Sequence, residues 1–207
     1  MLPVPTATPT SALDEETARS ELYGLLALLY YAPPTTELIA QLRVAVTDAP
    51  AAGAFLEEPW RALVGVARLM TEQAIQREYA ALFGGIGKPE VYLYGSHFLS
   101  GFLNEKPLAR LRTELGQLGL ARDENMSETE DHFAYLCEVM RYLIAGEDVS
   151  VANLTRQREF FSAHLQPWVD KMCDELQKHP KAHFYAALGA LTRAFMGIEA
   201  QGFDMLD

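Results

Sequence analysis

The chain has 207 residues, of which 49% are hydrophobic and 22% charged, and its formal net charge is −11 at pH 7 with histidine neutral. This length and composition predict one globular domain and exclude a globally disordered chain. The acidic charge disfavours nucleic acid and anionic membranes as partners, because both would be repelled, whereas a basic peptide would be attracted.

The first residues differ in composition from the rest of the chain. Residues 1–11 are rich in Pro and Thr and are predicted to form a disordered tail, followed by a helical domain over residues 12–207. The N-terminus lacks the basic and apolar regions of a signal peptide. The longest uncharged apolar run, residues 22–34, is too short to span a bilayer, so we expect a cytoplasmic protein.

Helical periodicity dominates the first half of the chain. Leucines at helical spacing predict a first helix that Pro33 and Pro34 end. Three shorter helices and two breaks are expected to follow: helices at residues 36–47, 60–70 and 75–83, and breaks at residues 48–53 and 84–89. The segment 91–99 is ambiguous, because Val-Tyr-Leu-Tyr could form a short strand but nothing nearby in sequence offers it a partner.

The second half of the chain is also helical in pattern. Pro107 begins a helix that Gly119 ends, and Pro167 ends or kinks a later one. Apolar residues on the last helix recur at steps of 4, 3, 4 and 3: Phe184, Leu188, Leu191, Phe195 and Ile198. Together these signals predict a single all-α domain of about ten helices.

Residues 127–132, Ser-Glu-Thr-Glu-Asp-His, precede an apolar helical segment. Ser127 and Glu130 have the spacing of a capping box, which predicts that this helix begins at Ser127. On such a helix Glu128 and His132 would share one face, with Asp131 beside them. Two interpretations remain open: the residues only cap a helix, or they form an acidic surface that binds a guanidinium or ammonium group.

A metal site is the main rival interpretation of this cluster, with His164 and Glu199 as further possible ligands. No HExxH and no repeated ExxH sequence supports it, and the sequence indicates neither a metal nor another cofactor. The glycines near residue 85 lack the P-loop pattern, and no nucleophile has a catalytic spacing. The alternative function left open is a small helical metal- or nucleotide-dependent enzyme that uses Glu128, Asp131 and His132.

Several segments, in the same order, resemble the TorD/DmsD/NarJ redox-enzyme maturation chaperones. They are EYAALF at 78–83, YGS at 94–96 after a glycine-rich loop, EDH at 130–132, FFSAHLQPW at 160–168, and the last-helix residues Phe184, Tyr185, Leu188, Leu191, Thr192, Phe195 and Glu199. Two positions depart from the family pattern. Thr129 stands where proline is usual, and Lys-Pro-Glu-Val-Tyr at 88–92 replaces a Pro-Pro-Trp/Tyr stretch.

The resemblance implies a TorD-like helical fold and a chaperone rather than an enzyme. Members of that family are cytoplasmic and bind the twin-arginine signal peptide of a molybdenum or tungsten oxidoreductase until its cofactor is loaded. Some act instead on a subunit that is not exported. The client implied here is a formate dehydrogenase or a reductase, and the chaperone is expected to be a monomer or a helix-exchanged dimer.

A twin-arginine signal presents two guanidiniums followed by an apolar segment. Its binding requires acidic acceptors at one end of a groove and aromatic or aliphatic surface along it. The tyrosines of this chain suit such a groove. The candidate peptide-binding residues are Tyr23, Tyr92, Tyr94, Ser96, Glu128, Glu130, Asp131, His132, His164 and Trp168.

Overall fold

The computed structural model describes residues 10–47, 55–84, 88–123 and 126–205, and this part of the chain contains ten α-helices. The helices are α1 (Thr10–Tyr31), α2 (Thr36–Val44), α3 (Glu57–Leu69), α4 (Glu72–Phe83), α5 (Gly95–Ser100), α6 (Lys106–Gln117), α7 (Phe133–Ala145), α8 (Leu154–His164), α9 (Val169–Lys178) and α10 (Phe184–Asp204). The predicted all-α fold is confirmed. Within the described ranges, no helix is long and apolar enough to cross a membrane.

Two predicted segments lie wholly or mostly outside the described residues. The loop predicted at residues 48–53 is one of them. The other is the predicted tail, of which residues 1–9 lie outside the described residues. Its last two positions belong to α1, which begins at Thr10. Nearby, α2 ends at Val44, three residues before the predicted end. Arg68 of α3 donates hydrogen bonds to the carbonyl oxygens of Arg43 and Ala45 at 2.8 and 2.9 Å, so a neighbouring helix satisfies the end of α2.

Most helix ends lie at the polar and glycine signals in the sequence. The side chains of Thr35, Thr71 and Asn153 accept hydrogen bonds from the first turns of α2, α4 and α8. The helix α6 ends just before Gly119, whose φ of 72° favours glycine. The start of α2 and the ends of α4 and α6 lie where the sequence predicted them, whereas α3 and α4 each begin three residues before the first residue predicted for them.

The core lies between two long helices, α1 and α10. The helix α7 packs along α1, while α10 contacts α3, α4 and α9. Tyr23 and Phe195 join α1 to α10, with ring centroids 4.8 Å apart, and the hydroxyls of Tyr30 and Thr192 are 3.0 Å apart. The last helix buries the apolar residues that its sequence pattern predicted, except Ile198, which is only partly buried.

The ambiguous segment 91–99 finds its partner far along the chain. Tyr94 and His132 form an isolated antiparallel β-bridge. Phe133 N donates to the Leu93 carbonyl at 2.7 Å, and Gly95 N donates to the Asp131 carbonyl at 3.0 Å. The segment is therefore extended up to Tyr94, and α5 begins directly after it.

The predicted helix start at Ser127 is wrong. The helix α7 begins at Phe133, and its N-cap is His132, whose Nδ1 accepts a hydrogen bond from Ala134 N at 3.2 Å. The Ser127 hydroxyl instead donates to the Glu128 carboxylate at 3.1 Å. The capping-box signal is overridden because the backbone around Asp131 pairs with the 93–95 segment and cannot be helical there.

Two buried carboxylates hold α10 in place. Glu78 of α4 accepts hydrogen bonds from the backbone N–H groups of His183, Phe184 and Tyr185 at 2.9, 3.3 and 2.8 Å, so it caps a helix that has no side-chain cap of its own. Further along α10, Glu199 accepts two hydrogen bonds from Arg19 at 2.7 and 2.8 Å. Both acids belong to the segments that carry the family resemblance.

Candidate functional site

A group of aromatic side chains lies around His132 and beside the Glu128 carboxylate, where the end of α1, the 92–96 segment and the turn before α7 meet. Tyr94 donates its hydroxyl to the Glu128 carboxylate, and its ring lies edge-on to His132 with centroids 5.1 Å apart. The group, which we call the Glu128 cluster, consists of Tyr31, Tyr79, Tyr94, Glu128, His132 and Tyr135. It brings together three of the predicted site residues.

The aromatic rings of the Glu128 cluster are arranged around His132. The ring of Tyr31, a residue 41% exposed, lies 6.4 Å from that of His132 and 5.6 Å from that of Tyr135. Tyr79 reaches from α4 and donates its hydroxyl to the Tyr31 carbonyl at 2.8 Å. Aromatic faces beside a carboxylate are the surroundings that a guanidinium prefers.

Burial raises the pKa of the phenols in the cluster, and the charge of the Glu128 carboxylate adds to this effect. Burial and, after it, the charge of Glu128 raise the pKa of Tyr79 to about 12. The pKa of Tyr94 is raised by burial and by its hydrogen bond to Glu128, and that of Tyr135 by burial, Tyr31 and Glu128. Among the described residues no Lys or Arg side chain pairs with the Glu128 carboxylate, which therefore keeps acceptor capacity for a cation.

Asp131 is directed into the protein rather than toward solvent. It is 3% exposed, and its Oδ2 accepts a hydrogen bond from Ser96 N at 2.8 Å. Its Oδ1 accepts a hydrogen bond from the Thr129 hydroxyl at 2.6 Å. Thr129, which stands where the family usually has proline, therefore helps to orient Asp131. The geometry makes Asp131 the cap of α5, since α5 has no side-chain cap of its own.

His132 is neutral at physiological pH because its burial lowers the pKa to about 4, against the opposing charges of Glu128 and Asp131. Its folded-state pKa lies below the ordinary value of 6.5, so the unfolded chain binds the proton more readily. The free energy of unfolding is therefore unaffected by protonation of His132 above pH 6.5, where the side chain is neutral in both states. It decreases as the pH falls from 6.5 toward 4, because only the unfolded chain binds the proton there.

We expect His132→Asn to reduce this pH dependence. Asparagine keeps an N-cap acceptor but does not titrate. Between pH 7 and pH 5 the free energy of unfolding of the wild type should fall by about 2 kcal/mol more than that of the variant. Urea unfolding at both pH values measures the difference, and equal pH slopes for the two proteins would contradict the burial of a neutral His132.

The other predicted residues lie around the Glu128 cluster in different roles. Glu130 forms a bidentate ion pair with Arg112, at 2.9 to 3.1 Å, on the surface. Tyr92 stacks on His97 with ring centroids 3.8 Å apart. Ser96 is fully buried and contributes its backbone N–H to Asp131. Their peptide-binding roles stay predictions, and because Glu130 is paired with Arg112 we expect it to contribute little.

Trp168, His164 and Tyr23 are buried. Trp168 donates its indole N–H to the His164 carbonyl at 2.5 Å and stacks under Phe98 of α5. A Cβ on Gly95 would lie 3.1 Å from the Trp168 indole nitrogen, so a larger residue there would force the indole to move by a few tenths of an ångström. His164 bonds to Glu114 of α6, and Tyr23 donates its hydroxyl to Glu199 at 3.0 Å. The structure thus places these three residues in the scaffold and not at the surface of the cluster.

Sequence reasoning did not single out Tyr31, Tyr79 and Tyr135 as site residues. Tyr31 is the last residue of α1, directly before the two prolines that the sequence marks as a break. Tyr135 lies one turn after His132, and Tyr79 belongs to a segment that resembles the family. Each has a local signal, but only the tertiary structure brings them together: Tyr79 and Tyr135 lie near Glu128, and Tyr31 contacts Tyr135.

Three further features bear on the alternative enzyme. Across the described residues no group of three or more His, Cys, Asp or Glu side chains is arranged to hold a metal ion. The helical face that Glu128 and His132 were expected to share does not exist, because α7 begins after both. Cys137 and Cys173 are buried, and burial raises the pKa of both thiols.

A cavity of about 690 Å³ lies away from the Glu128 cluster between α1 and α10. Its walls are mainly apolar, although they include Glu15 and Glu16 of α1, and the side chains of Arg19 and Glu199 also line the cavity. Those two charged groups are bonded to each other, at 2.7 Å, and do not offer a free charge to a ligand. The Glu128 cluster is the better candidate site because aromatic rings lie beside its carboxylate, which are the surroundings that a guanidinium prefers.

Comparison with known proteins agrees with the resemblance. A family profile described as "Nitrate reductase delta subunit" matches residues 49–174. The "Chaperone protein TorD" of Vibrio cholerae is 26% identical over 204 residues, which cover 91% of this chain and 93% of the relative. The "Tat proofreading chaperone DmsD" of Salmonella typhimurium is 26% identical over 181 residues, or 81% of each chain. The profile matches more than half of the residues of this chain. The chain therefore belongs to the nitrate reductase delta subunit family, the TorD/NarJ family that its sequence resembles.

Proposed function

We propose that this protein is a cytoplasmic chaperone for a molybdenum or tungsten oxidoreductase, and that it binds the twin-arginine leader of that client before export. Family membership supports the chaperone class, and the name of the Salmonella typhimurium relative refers to twin-arginine proofreading. The protein holds the leader while the cofactor is inserted, and releases it afterwards. A formate dehydrogenase or a reductase is the proposed client.

The observation that carries the proposal is the Glu128 cluster. An arginine side chain needs a carboxylate that accepts its N–H groups and flat apolar surface for its guanidinium plane. Glu128 supplies the first, and the rings of Tyr31 and Tyr94 supply the second. The net charge of −11 attracts a basic leader over a longer distance.

Within the site we assign different roles to the acidic residues. Glu128 makes the charged contact with an arginine, because its carboxylate is not paired with a described cation. Asp131 and His132 position the site, Asp131 by capping α5 and His132 by capping α7. Substitution of Asp131 is therefore expected to lower stability as well as affinity, whereas substitution of Glu128 lowers affinity alone.

The test is calorimetric titration of Glu128→Gln with the twin-arginine leader peptides of the source organism's molybdenum oxidoreductases. Glutamine keeps the shape of Glu128 and an acceptor for Tyr94 but removes the charge. We expect affinity for the cognate leader to fall about tenfold to hundredfold, the usual range for one hydrogen-bonded charge. Thermal unfolding of the variant should match that of the wild type.

Glu130→Gln is the matched control, since it makes the same chemical change two residues away. The Glu130 carboxylate is already paired with Arg112, so its loss should change affinity by less than about twofold. A leader in which glutamines replace both arginines should bind weakly and be insensitive to Glu128→Gln. The proposal fails if that leader binds the wild type normally, or if the Glu130 variant loses as much affinity as the Glu128 variant.

A further inference from the structure

A second, smaller cavity lies beside the Glu128 cluster, between the end of α6 and the outer face of α7. Its volume is about 200 Å³. We call it the α6–α7 slot, and its principal walls are Leu115, Leu120, Met126, Tyr135, Val139 and Tyr142. Tyr135, Val139 and Tyr142 are spaced at i, i+4 and i+7, so they form one stripe along α7. This stripe lies beside the cavity, while Cys137, Met140 and Leu143 of the same helix are in the core.

The slot is suited to apolar side chains. Its volume lies below the range of about 300–1,000 Å³ that is usual for small-molecule sites, so it fits one or two side chains of a larger partner. The two carboxylates at its edge, Glu130 and Glu138, are bonded to Arg112 and Arg141. Tyr142 is 38% exposed and Val139 is partly exposed, which leaves the slot accessible from the surface.

The slot is continuous with the Glu128 cluster. Tyr135 belongs to both, since its ring contacts Tyr31 and His132 on one side and lines the slot on the other. Arg122, also at the slot, donates a hydrogen bond to the Glu128 carbonyl at 3.1 Å. A ligand with its cation at Glu128 therefore has an apolar surface directly beside the charged contact, leading along α7 from Tyr135 to Tyr142.

We propose that the α6–α7 slot binds large aliphatic side chains, of leucine size, from the apolar segment that follows the arginines of the leader. The inference rests on the proposed function and specifies how the leader lies on the site: arginine at Glu128, apolar segment along α7. A leader matches this order because its basic residues precede its apolar ones. The acidic end and the apolar slot together recognise both halves of one extended ligand.

The experiment fills the slot and measures leader affinity. Val139→Trp places a large ring in the slot, and Val149→Trp makes the same change at a valine that is 79% exposed and does not line it. We expect Val139→Trp to weaken binding of the cognate leader about tenfold, roughly the effect of losing one buried aliphatic side chain. Val149→Trp should change affinity by less than about twofold.

Peptide variants separate the slot from the charged contact. A leader with serine in place of its slot-bound leucines should bind the wild type as weakly as Val139→Trp binds the intact leader, and the two changes together should add little more. Tyr142→Ser, which removes one wall without filling the slot, should weaken binding in the same leucine-dependent way. As a direct probe, the methyl NMR signal of Met126, a slot residue, should shift with the intact leader and not with the serine variant.

The outcomes separate the two proposals. If Glu128→Gln weakens binding but Val139→Trp and Tyr142→Ser do not, the slot is not the apolar subsite and the proposed function still stands. If the Met126 signal shifts equally with both leaders, the slot assignment is also wrong. If none of the leaders binds the wild type, both the proposed function and the slot assignment are overturned.

Discussion

Replacement of Glu78 by alanine is expected to lower the free energy of unfolding by about 4 kcal/mol, because it leaves several backbone N–H groups of α10 without acceptors. Glu78 is 6% exposed, and its carboxylate accepts hydrogen bonds from three consecutive backbone N–H groups, those of the N-cap His183 and of the first two residues of α10. Each buried donor left unpaired costs about 1–3 kcal/mol. The expected fall in Tm is about 10 °C for a domain of this size.

Two further variants show that the cap is responsible for this loss. Glu78→Gln keeps one acceptor oxygen without the charge, so its loss of stability should be intermediate. Glu21→Ala removes an exposed carboxylate from α1 and should change stability by less than about 0.5 kcal/mol. If Glu78→Ala unfolds like the wild type in urea, the α10 N-terminus does not depend on this carboxylate.

Glu199→Ala should cost about 3–5 kcal/mol, since removing one partner of a buried ion pair leaves the other charge uncompensated. The Arg19 side chain is only 15% exposed and would lose both bonds to Glu199. Gln157 would remain as a neutral acceptor, at 3.1 Å from Arg19. The Tyr23 hydroxyl would also lose its acceptor inside the core.

A double variant separates the effect of losing the ion pair from the effect of leaving the buried charge of Arg19 unpaired. Arg19→Met combined with Glu199→Leu replaces the pair with apolar side chains and should recover most of the stability lost in Glu199→Ala. Glu138→Ala breaks an exposed pair with Arg141 and should cost less than about 1 kcal/mol. A double variant as unstable as Glu199→Ala would show that the charge on Arg19 is not the cause.

Three acids in the family-like segments therefore have structural partners. Glu78 caps α10, Asp131 caps α5 and Glu199 pairs with Arg19 across the core. Neither α5 nor α10 has a side-chain cap from its own sequence, so each depends on a carboxylate from a distant segment. Glu128 lies just outside the segments that carry the family resemblance. Unlike these three acids, it keeps a carboxylate that is available to a ligand.

The helices could be predicted from the sequence because periodicity and breakers are local signals. Proline and glycine positions gave the ends of α1 and α6, and apolar spacing gave the core face of α10. The start of α7 could not be predicted in this way. The capping-box pattern at Ser127 is also a local signal, but it is overridden by a distant one. The Asp131 carbonyl accepts a hydrogen bond from Gly95, and nothing in the sequence near Asp131 indicates that pairing.

Only part of the site could be predicted, because local sequence signals identify some of its residues but not the contacts between distant segments. Tyr94, Glu128 and His132 were expected together, and the structure brings them into contact. Burial of Tyr23 and Trp168 follows from packing against α10 and α5, and a single sequence does not show which tyrosines or tryptophans face inward. The clustering of Tyr31, Tyr79 and Tyr135 depends on three different helices, so it too required the structure.

The pairing of the 93–96 segment with the turn before α7 has a consequence for folding. The bonds from Tyr94 to Glu128 and from Ser96 to Asp131 join residues 34 and 35 positions apart, so the chain must close a long loop before either contact exists. Hydrogen bonds within one helix do not require that closure, but the Glu128 cluster does. A peptide copy of α7 with its preceding turn would lack the site, and a partly folded chain that retains its helices would have lost it.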